Sequence, residues 1–200
     1  MIEVGRFESR GERDNNLDRI IYGEGFYFIV DGYSCSEEHL DQALNSLTID
    51  PHNMLILQIA QANVKMCISG FYILDNFIHF YHKGDCRVYL QGCGLVSCDN
   101  TLAWDRLSAN NNRTPAAVAN LVKKHPLRNV LSDHLVSEKY ILPFLTVPRG
   151  VGNVMLCTDG FWNNFSEEVL LDLLDDPSGI CKVSESSNFT DNAACVIVNC

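Results

Sequence analysis

The stretch Phe26-Tyr27-Phe28-Ile29-Val30-Asp31-Gly32 decides the reading of this chain, because it recurs in kind at Val154-Met155-Leu156-Cys157-Thr158-Asp159-Gly160. In each, an apolar run of strand length stops on a carboxylate, and glycine then lets the chain turn. A third acid, Asp191 with Asn192, stands just before the apolar run Ala193 to Val198. Three acids are thus delivered to places where apolar segments meet solvent. Clustered carboxylates repel one another unless a cation neutralises them, and hard divalent ions such as Mg²⁺ or Mn²⁺ take oxygen ligands. A lone Asp-Gly is an ordinary turn, so the weight rests on the number and order of these features.

Composition narrows the options. With 200 residues the chain is sized for one substantial core, and a single domain over 1–200 is expected. Fifteen Lys and Arg against 25 Asp and Glu give a net charge of -10, which argues against a nucleic-acid partner bound through its phosphates. No apolar stretch approaches the roughly 20 residues that span a bilayer, and the start lacks a basic region followed by an apolar one. A soluble, unsecreted, cytoplasmic protein is expected. Nine cysteines, several inside apolar runs, read as reduced buried thiols. Cys86, Cys93 and Cys98 with His79 and His82 lack any Cys-x-x-Cys pair and make a poor zinc site.

Along the chain, Ile20 to Tyr22 and Phe26 to Val30 read as strands beside Gly23 and Gly25. Ser34 and Glu37 have capping-box spacing for a helix carrying Leu40, Ala43, Leu44 and Leu47. A second helix is predicted from Asp50-Pro51 through Leu55, Ile56, Ile59, Ala60 and Val64, so that two helices in tandem cover one sheet face. Residues 67 to 96 read as an antiparallel meander turning at Asp75-Asn76, Lys83-Gly84-Asp85 and Gly92-Cys93-Gly94. Residues 99 to 113 are polar and read as a mobile surface segment leading into a helix capped by Thr114-Pro115 and ended by Pro126. Strand signals return at Tyr140 to Val147 and Asn153 to Thr158. Ser166 then caps a helix through Leu174, and Ala193 to Val198 is the last strand. Strands and helices do not alternate one for one, which predicts an α+β fold with mainly antiparallel sheets.

The ordered motifs resemble the metal-dependent protein serine/threonine phosphatases of the PPM, or type 2C, family, above all its compact bacterial members. Arg13-Asp14-Asn15-Asn16-Leu17-Asp18 is similar to the family's opening Arg-x-x-Asn-Glu-Asp, and Phe26 to Gly32 to its first Asp-Gly strand. Gly84-Asp85-Cys86-Arg87 is similar to its Gly-Asp-Ser-Arg strand, with Ser69-Gly70 ahead of it. His125-Pro126-Leu127-Arg128-Asn129-Val130-Leu131, Asp159-Gly160-Phe161-Trp162 and Asp191-Asn192 complete the series.

That resemblance implies a central β-sandwich of two mainly antiparallel sheets flanked by helices, with a two-metal centre in the channel between them. It implies that Asp31 bridges two Mn²⁺ or Mg²⁺ ions, that the Gly32 carbonyl completes the first, and that Asp159 and Asp191 hold the second. Asp18 contacts the site, and Asp85 with Asp159 holds a third, looser ion. Two cations about 3.5–4 Å apart share a water and aim it in line at phosphorus. Arg13 is the phosphate clamp, since a guanidinium fork matches two phosphoryl oxygens. The implied activity is hydrolysis of phosphoserine and phosphothreonine in a phosphorylated protein, in signalling opposed to a Ser/Thr kinase. Three departures stand against it. Leu17 replaces an acid, Tyr33 stands where animal members carry a histidine, and Asn163 stands where an acid supports the third ion. A catalytically weak or inactive pseudophosphatase, binding phosphoproteins as a regulatory module, is the alternative.

Overall fold

The computed structural model describes residues 1–50, 55–58, 64–109, 113–135 and 140–200. In chain order the elements are β1 Ile2–Ser9, β2 Asp18–Gly23, β3 Phe26–Tyr33, α1 Glu37–Asn45, β4 Leu47–Asp50, β5 Leu55–Gln58, β6 Lys65–Leu74, β7 Phe77–Lys83, β8 Arg87–Leu90 and β9 Gly94–Leu95. There follow α2 Leu102–Ser108, α3 Pro115–Val122, β10 Tyr140–Ile141, β11 Leu145–Pro148, β12 Asn153–Cys157, α4 Asp159–Trp162, α5 Glu167–Asp175, a 3-10 turn at Pro177–Gly179, α6 Ile180–Glu185 and β13 Ala193–Asn199.

Two five-stranded sheets form the centre, one in the order β1-β13-β12-β8-β9 and the other β11-β7-β6-β3-β2. The pairings within both are antiparallel. Strict alternation of side chains explains how runs of unbroken apolar residues serve here: both faces of the central strands are covered. Ile29, Val154, Leu156, Val196 and Val198 meet between the sheets. Met155, Cys157, Cys195 and Ile197 point the other way, into a core with Trp104, Val118, Leu170 and Leu173 of α2, α3 and α5. On the far side of the second sheet, Phe28, Val30 and Ile68 pack against Leu40 and Ala43 of α1. The α+β sandwich expected from the sequence is therefore the fold observed.

Several local expectations fail for identifiable reasons. The second predicted helix is contradicted where it is described: Leu55–Gln58 is a strand, paired with β4 and β10 in a small three-stranded sheet. Its Pro51, Ile59 and Ala60 lie outside the described residues, as does Asn110-Asn111-Asn112. Ser36, not Ser34, caps α1, its hydroxyl accepting from the His39 amide at 3.3 Å, while Ser34 adopts a left-handed φ of 58°. The meander breaks at Lys83-Gly84-Asp85-Cys86, because β7 and β8 belong to different sheets and this turn is a crossover. The predicted strand Tyr140 to Val147 is split between β10 and β11 in separate sheets. The polar segment after Ser97 is anchored: Asp99 and Thr101 are buried, and the Thr101 hydroxyl caps α2 by accepting from the Trp104 amide at 3.1 Å. Thr114 and Ser166 cap α3 and α5 as expected. Strand β1 and helix α6 carry no signal strong enough for the sequence reading to identify.

Candidate metal centre

Register places the acids. Asp18 lies directly opposite Asp31 across β2 and β3, and Asp31 lies opposite Cys67 across β3 and β6. These three residues thus form a row across one sheet. From the other sheet come Asp159, two residues past the end of β12, and Asp191, two residues before β13. Asp85 enters from the crossover between the sheets. All five aspartates line one open cleft of about 560 Å³, together with Arg13, Gly32 and Cys67. The sequence-predicted residues are therefore brought to one place.

The positions are held by a set of local hydrogen bonds. Thr158 donates its hydroxyl to Asp18 Oδ2 at 2.6 Å and so ties the two sheets together beneath the cleft. Asn192 accepts from the Leu17 amide at 2.7 Å and donates Nδ2 to the carbonyls of Arg10 and Asn15, which fixes the segment bearing Arg13. Gly160 sits so close to the Asn192 carbonyl that any Cβ would collide with it. At the crossover, Asn100 exchanges hydrogen bonds with the Gly84 backbone, and Trp162 donates Nε1 to the Asp85 carbonyl at 2.9 Å. The turn that reads in sequence as a hairpin tip is pinned and buried, leaving Asp85 only 6% exposed.

Electrostatically the cleft is short of positive charge. Burial, together with the neighbouring carboxylates, pushes Asp18, Asp31 and Asp85 well above the usual carboxylate range. For Asp18 the Thr158 hydrogen bond opposes that rise. Asp159 is raised to about 6, by burial first and by Asp191 second. Asp85 Oδ1 is buried with no hydrogen-bond partner. Arg13, at the exposed rim, donates to Asp191 Oδ2 at 2.7 Å, a half-exposed pair of the kind that contributes about 0–1 kcal/mol. A set of oxygen donors crowded together, with one orphaned oxygen among them, fits hard divalent cations.

The tightest group of donors includes Cys67, one of the cysteines that the sequence places inside an apolar run. Asp31, Cys67 and Asp85 each offer an atom within 4.8 Å of the other two. The signal that finds Cys67 is its register opposite Asp31. Among the described residues no comparable group forms from Cys86, Cys93, Cys98, His79 and His82: His79 bonds Thr146, and His82 bonds Ser69 and the Cys98 carbonyl. Leu17 and Tyr33 line the cleft, and Tyr33 stacks edge-on against His134 with ring centres 5.6 Å apart. Burial raises the Tyr33 phenol further above its ordinary value. Asn163 instead accepts from Arg128 at 3.3 Å and does not line the cleft.

Comparison by sequence finds no matching family model and no matching curated protein. Comparison by structure finds bacterial proteins of similar fold at low sequence identity. A PPM Ser-Thr phosphatase from Mycobacterium smegmatis, solved with cacodylate, matches with a TM-score of 0.72 at 16% identity, over 96% of each chain. The Mycobacterium tuberculosis serine/threonine phosphatase PstP matches at 0.69 and 16% identity, again over 96% of each chain. A PstP catalytic domain bearing two manganese ions matches at 0.65 and 16% identity, over 96% of this chain and 95% of that one. Stp1 of Staphylococcus aureus matches at 0.66 and 14% identity, over 100% of this chain and 98% of that one. No helix among the described residues is long and apolar enough to cross a membrane. Two five-stranded antiparallel sheets, their flanking helices and these full-length matches give the chain the fold of the bacterial PPM Ser/Thr phosphatases.

Proposed function

We propose that residues 1–200 form one domain that hydrolyses phosphoserine or phosphothreonine in proteins with the aid of two Mn²⁺ or Mg²⁺ ions. The observation that carries this reading is the convergence of Asp18, Asp31, Asp85, Asp159 and Asp191 on one cleft with no buried cation among its lining residues. Bound divalent ions would supply Lewis-acid activation of a water and neutralise developing phosphoryl charge. The chain's own residues supply the frame. Asp31, Asp159 and Asp191, with the Gly32 carbonyl, would hold the ions, and Asp85 would hold a third with Asp159. Asp18, oriented by Thr158, would contact the ion site from its side of the cleft. Arg13 exchanges Asp191 for the substrate's phosphoryl oxygens, which it can grip two at a time. The exposed rim suits a phosphorylated side chain presented by another protein, with a Ser/Thr kinase as the opposing partner and the cytoplasm as the setting.

Release of phosphate from p-nitrophenyl phosphate and from a phosphothreonine peptide, with Mn²⁺, with Mg²⁺ and with EDTA, tests the proposal. Metal-dependent release that EDTA blocks is the expected result. The Arg13 to Asp191 pair and the apolar Leu17 on the cleft favour one second reading, a phosphoprotein-binding pseudophosphatase. Peptide binding with no hydrolysis at saturating Mn²⁺ would select it.

A further inference from the structure

The donors that come closest together in the cleft are not all oxygens. Asp31, Cys67 and Asp85 present one carboxylate, one thiol and one carboxylate within 4.8 Å of each other. Around a tetrahedral ion, bonds of about 2.3 Å to sulfur and about 2.0–2.2 Å to oxygen place neighbouring donors roughly 3.4–3.6 Å apart. Closing the trio on one ion thus takes side-chain shifts of up to about 1 Å. A second observation points to a ligand at the same place: Asp85 is 6% exposed, lines the cleft, and keeps Oδ1 without a hydrogen-bond partner. The backbone is shaped for the thiol. Gly84 has a φ of +96°, and a Cβ there would strike Cys67 Sγ, so glycine alone leaves room for the sulfur. Asn100 pins Gly84 itself, and Trp162 pins the adjacent Asp85.

We infer that Asp31, Cys67 and Asp85 form a subsite for a thiolate-preferring divalent cation, Zn²⁺, with its fourth position open to the cleft. Sulfur is the discriminating donor: Mg²⁺ and Mn²⁺ gain little from a thiolate, whereas Zn²⁺ gains much. As the metal–sulfur bond forms, the Cys67 S–H bond breaks, its proton passes to solvent, and no oxidation state changes. The inference rests on the proposed phosphatase reading only in that the two loadings share Asp31 and Asp85 and so exclude one another.

Co²⁺, a spectroscopic stand-in for Zn²⁺, gives the test. It is titrated into metal-stripped protein in which the exposed Cys93, Cys98 and Cys181 are replaced by serine, so that they contribute no signal. A near-ultraviolet sulfur-to-cobalt charge-transfer band should appear, saturate at one equivalent and vanish on adding Zn²⁺. It should be lost in Cys67→Ser and in Cys67→Ala, each checked for an unchanged far-ultraviolet circular dichroism spectrum. Asp85→Asn should weaken Co²⁺ binding by about tenfold or more. Absence of the band, or its survival in both Cys67 variants, would overturn the inference. Manganese-dependent phosphate release on the same preparation keeps the two readings apart: release without the band overturns the zinc subsite alone. The band without release upholds the subsite while removing the phosphatase reading.

Discussion

Two groups of charged side chains lie on either side of Trp162, and they are built on opposite principles. On one side Arg87, fully buried, gives Asp99 a two-pronged bond at 2.9 and 2.8 Å and reaches Glu167 at 3.0 Å. Lys123 joins Glu167 at 3.3 Å, so two cations face two anions. Burial pulls the Arg87 guanidinium down, but Asp99, Tyr89 and Glu167 more than offset it and the net shift is upward. The guanidinium also lies 3.6 Å above the Trp162 ring, whose Nε1 bonds the Asp85 carbonyl. On the other side five aspartates share a cleft and face one exposed arginine. The first group is finished by the protein. The second is left for something from outside to finish, and the cost of leaving it so is the signature of a binding site.

Substitutions that remove a charge should therefore have opposite consequences in the two groups. The largest effect is kinetic: Asp31→Asn should reduce metal-dependent phosphate release by about 10³-fold or more, measured as kcat/KM on p-nitrophenyl phosphate. Next comes Arg87→Met, which strands Asp99 without its partner in the core. Urea unfolding should show a loss of about 3–5 kcal/mol. Retention of full stability in that variant would break the comparison from the compensated side.

Metal removal should be felt only by the second group. Stripping Mn²⁺ from protein held at about 100 times its Kd should cost about 2.7 kcal/mol, seen as a fall in Tm of roughly 5–10 °C. Arg87→Met should show the same metal increment on its lowered baseline, since its partners lie outside the cleft.

The metal-free protein should also be the less stable form at neutral pH. A carboxyl whose folded pKa is raised binds its proton more tightly when folded. The stability it contributes is therefore complete below the ordinary carboxylate range and is lost as pH rises through the folded value. For Asp159 that window ends near pH 6. Metal-free unfolding free energy should thus fall by about 2–3 kcal/mol between roughly pH 4 and pH 7, and saturating Mn²⁺ should reverse the slope. The smallest effect has the most informative sign. Asp31→Asn, which relieves repulsion among clustered acids, should raise the stability of the metal-free protein by about 1 kcal/mol.

Much of this contrast is visible in the sequence, and the missing parts share one cause. Asp31 and Asp159 announce themselves because an apolar run ending in Asp-Gly is a local pattern, and β3, β12 and β13 follow from local patterns too. What escaped depends on partners distant in the chain. Asp99 reads as a solvated acid in a polar stretch, yet Arg87 of a neighbouring strand buries it. Lys83-Gly84-Asp85 has the composition of a hairpin tip, and only the separation of β7 and β8 into different sheets makes it a crossover into the cleft. Leu55-Ile56-Leu57 is apolar without alternation, so periodicity cannot tell a short strand from a helical turn, and pairing with β4 decides for the strand. Strand β1 leaves Ile2 69% exposed and places Phe7 on the core, too weak an alternation to declare itself. Cys67 hid among eight other cysteines because nothing local says that it lies across from Asp31.

Calorimetric titration of Mn²⁺ into metal-stripped protein, wild type beside Asp31→Asn, tests most directly the claim that the uncompensated cleft is a cation site. Two equivalents bound by the wild type and a loss of that binding in the variant are predicted. A wild-type protein, folded by circular dichroism, that takes up no Mn²⁺, or a variant that binds it as well as the wild type, would contradict the claim.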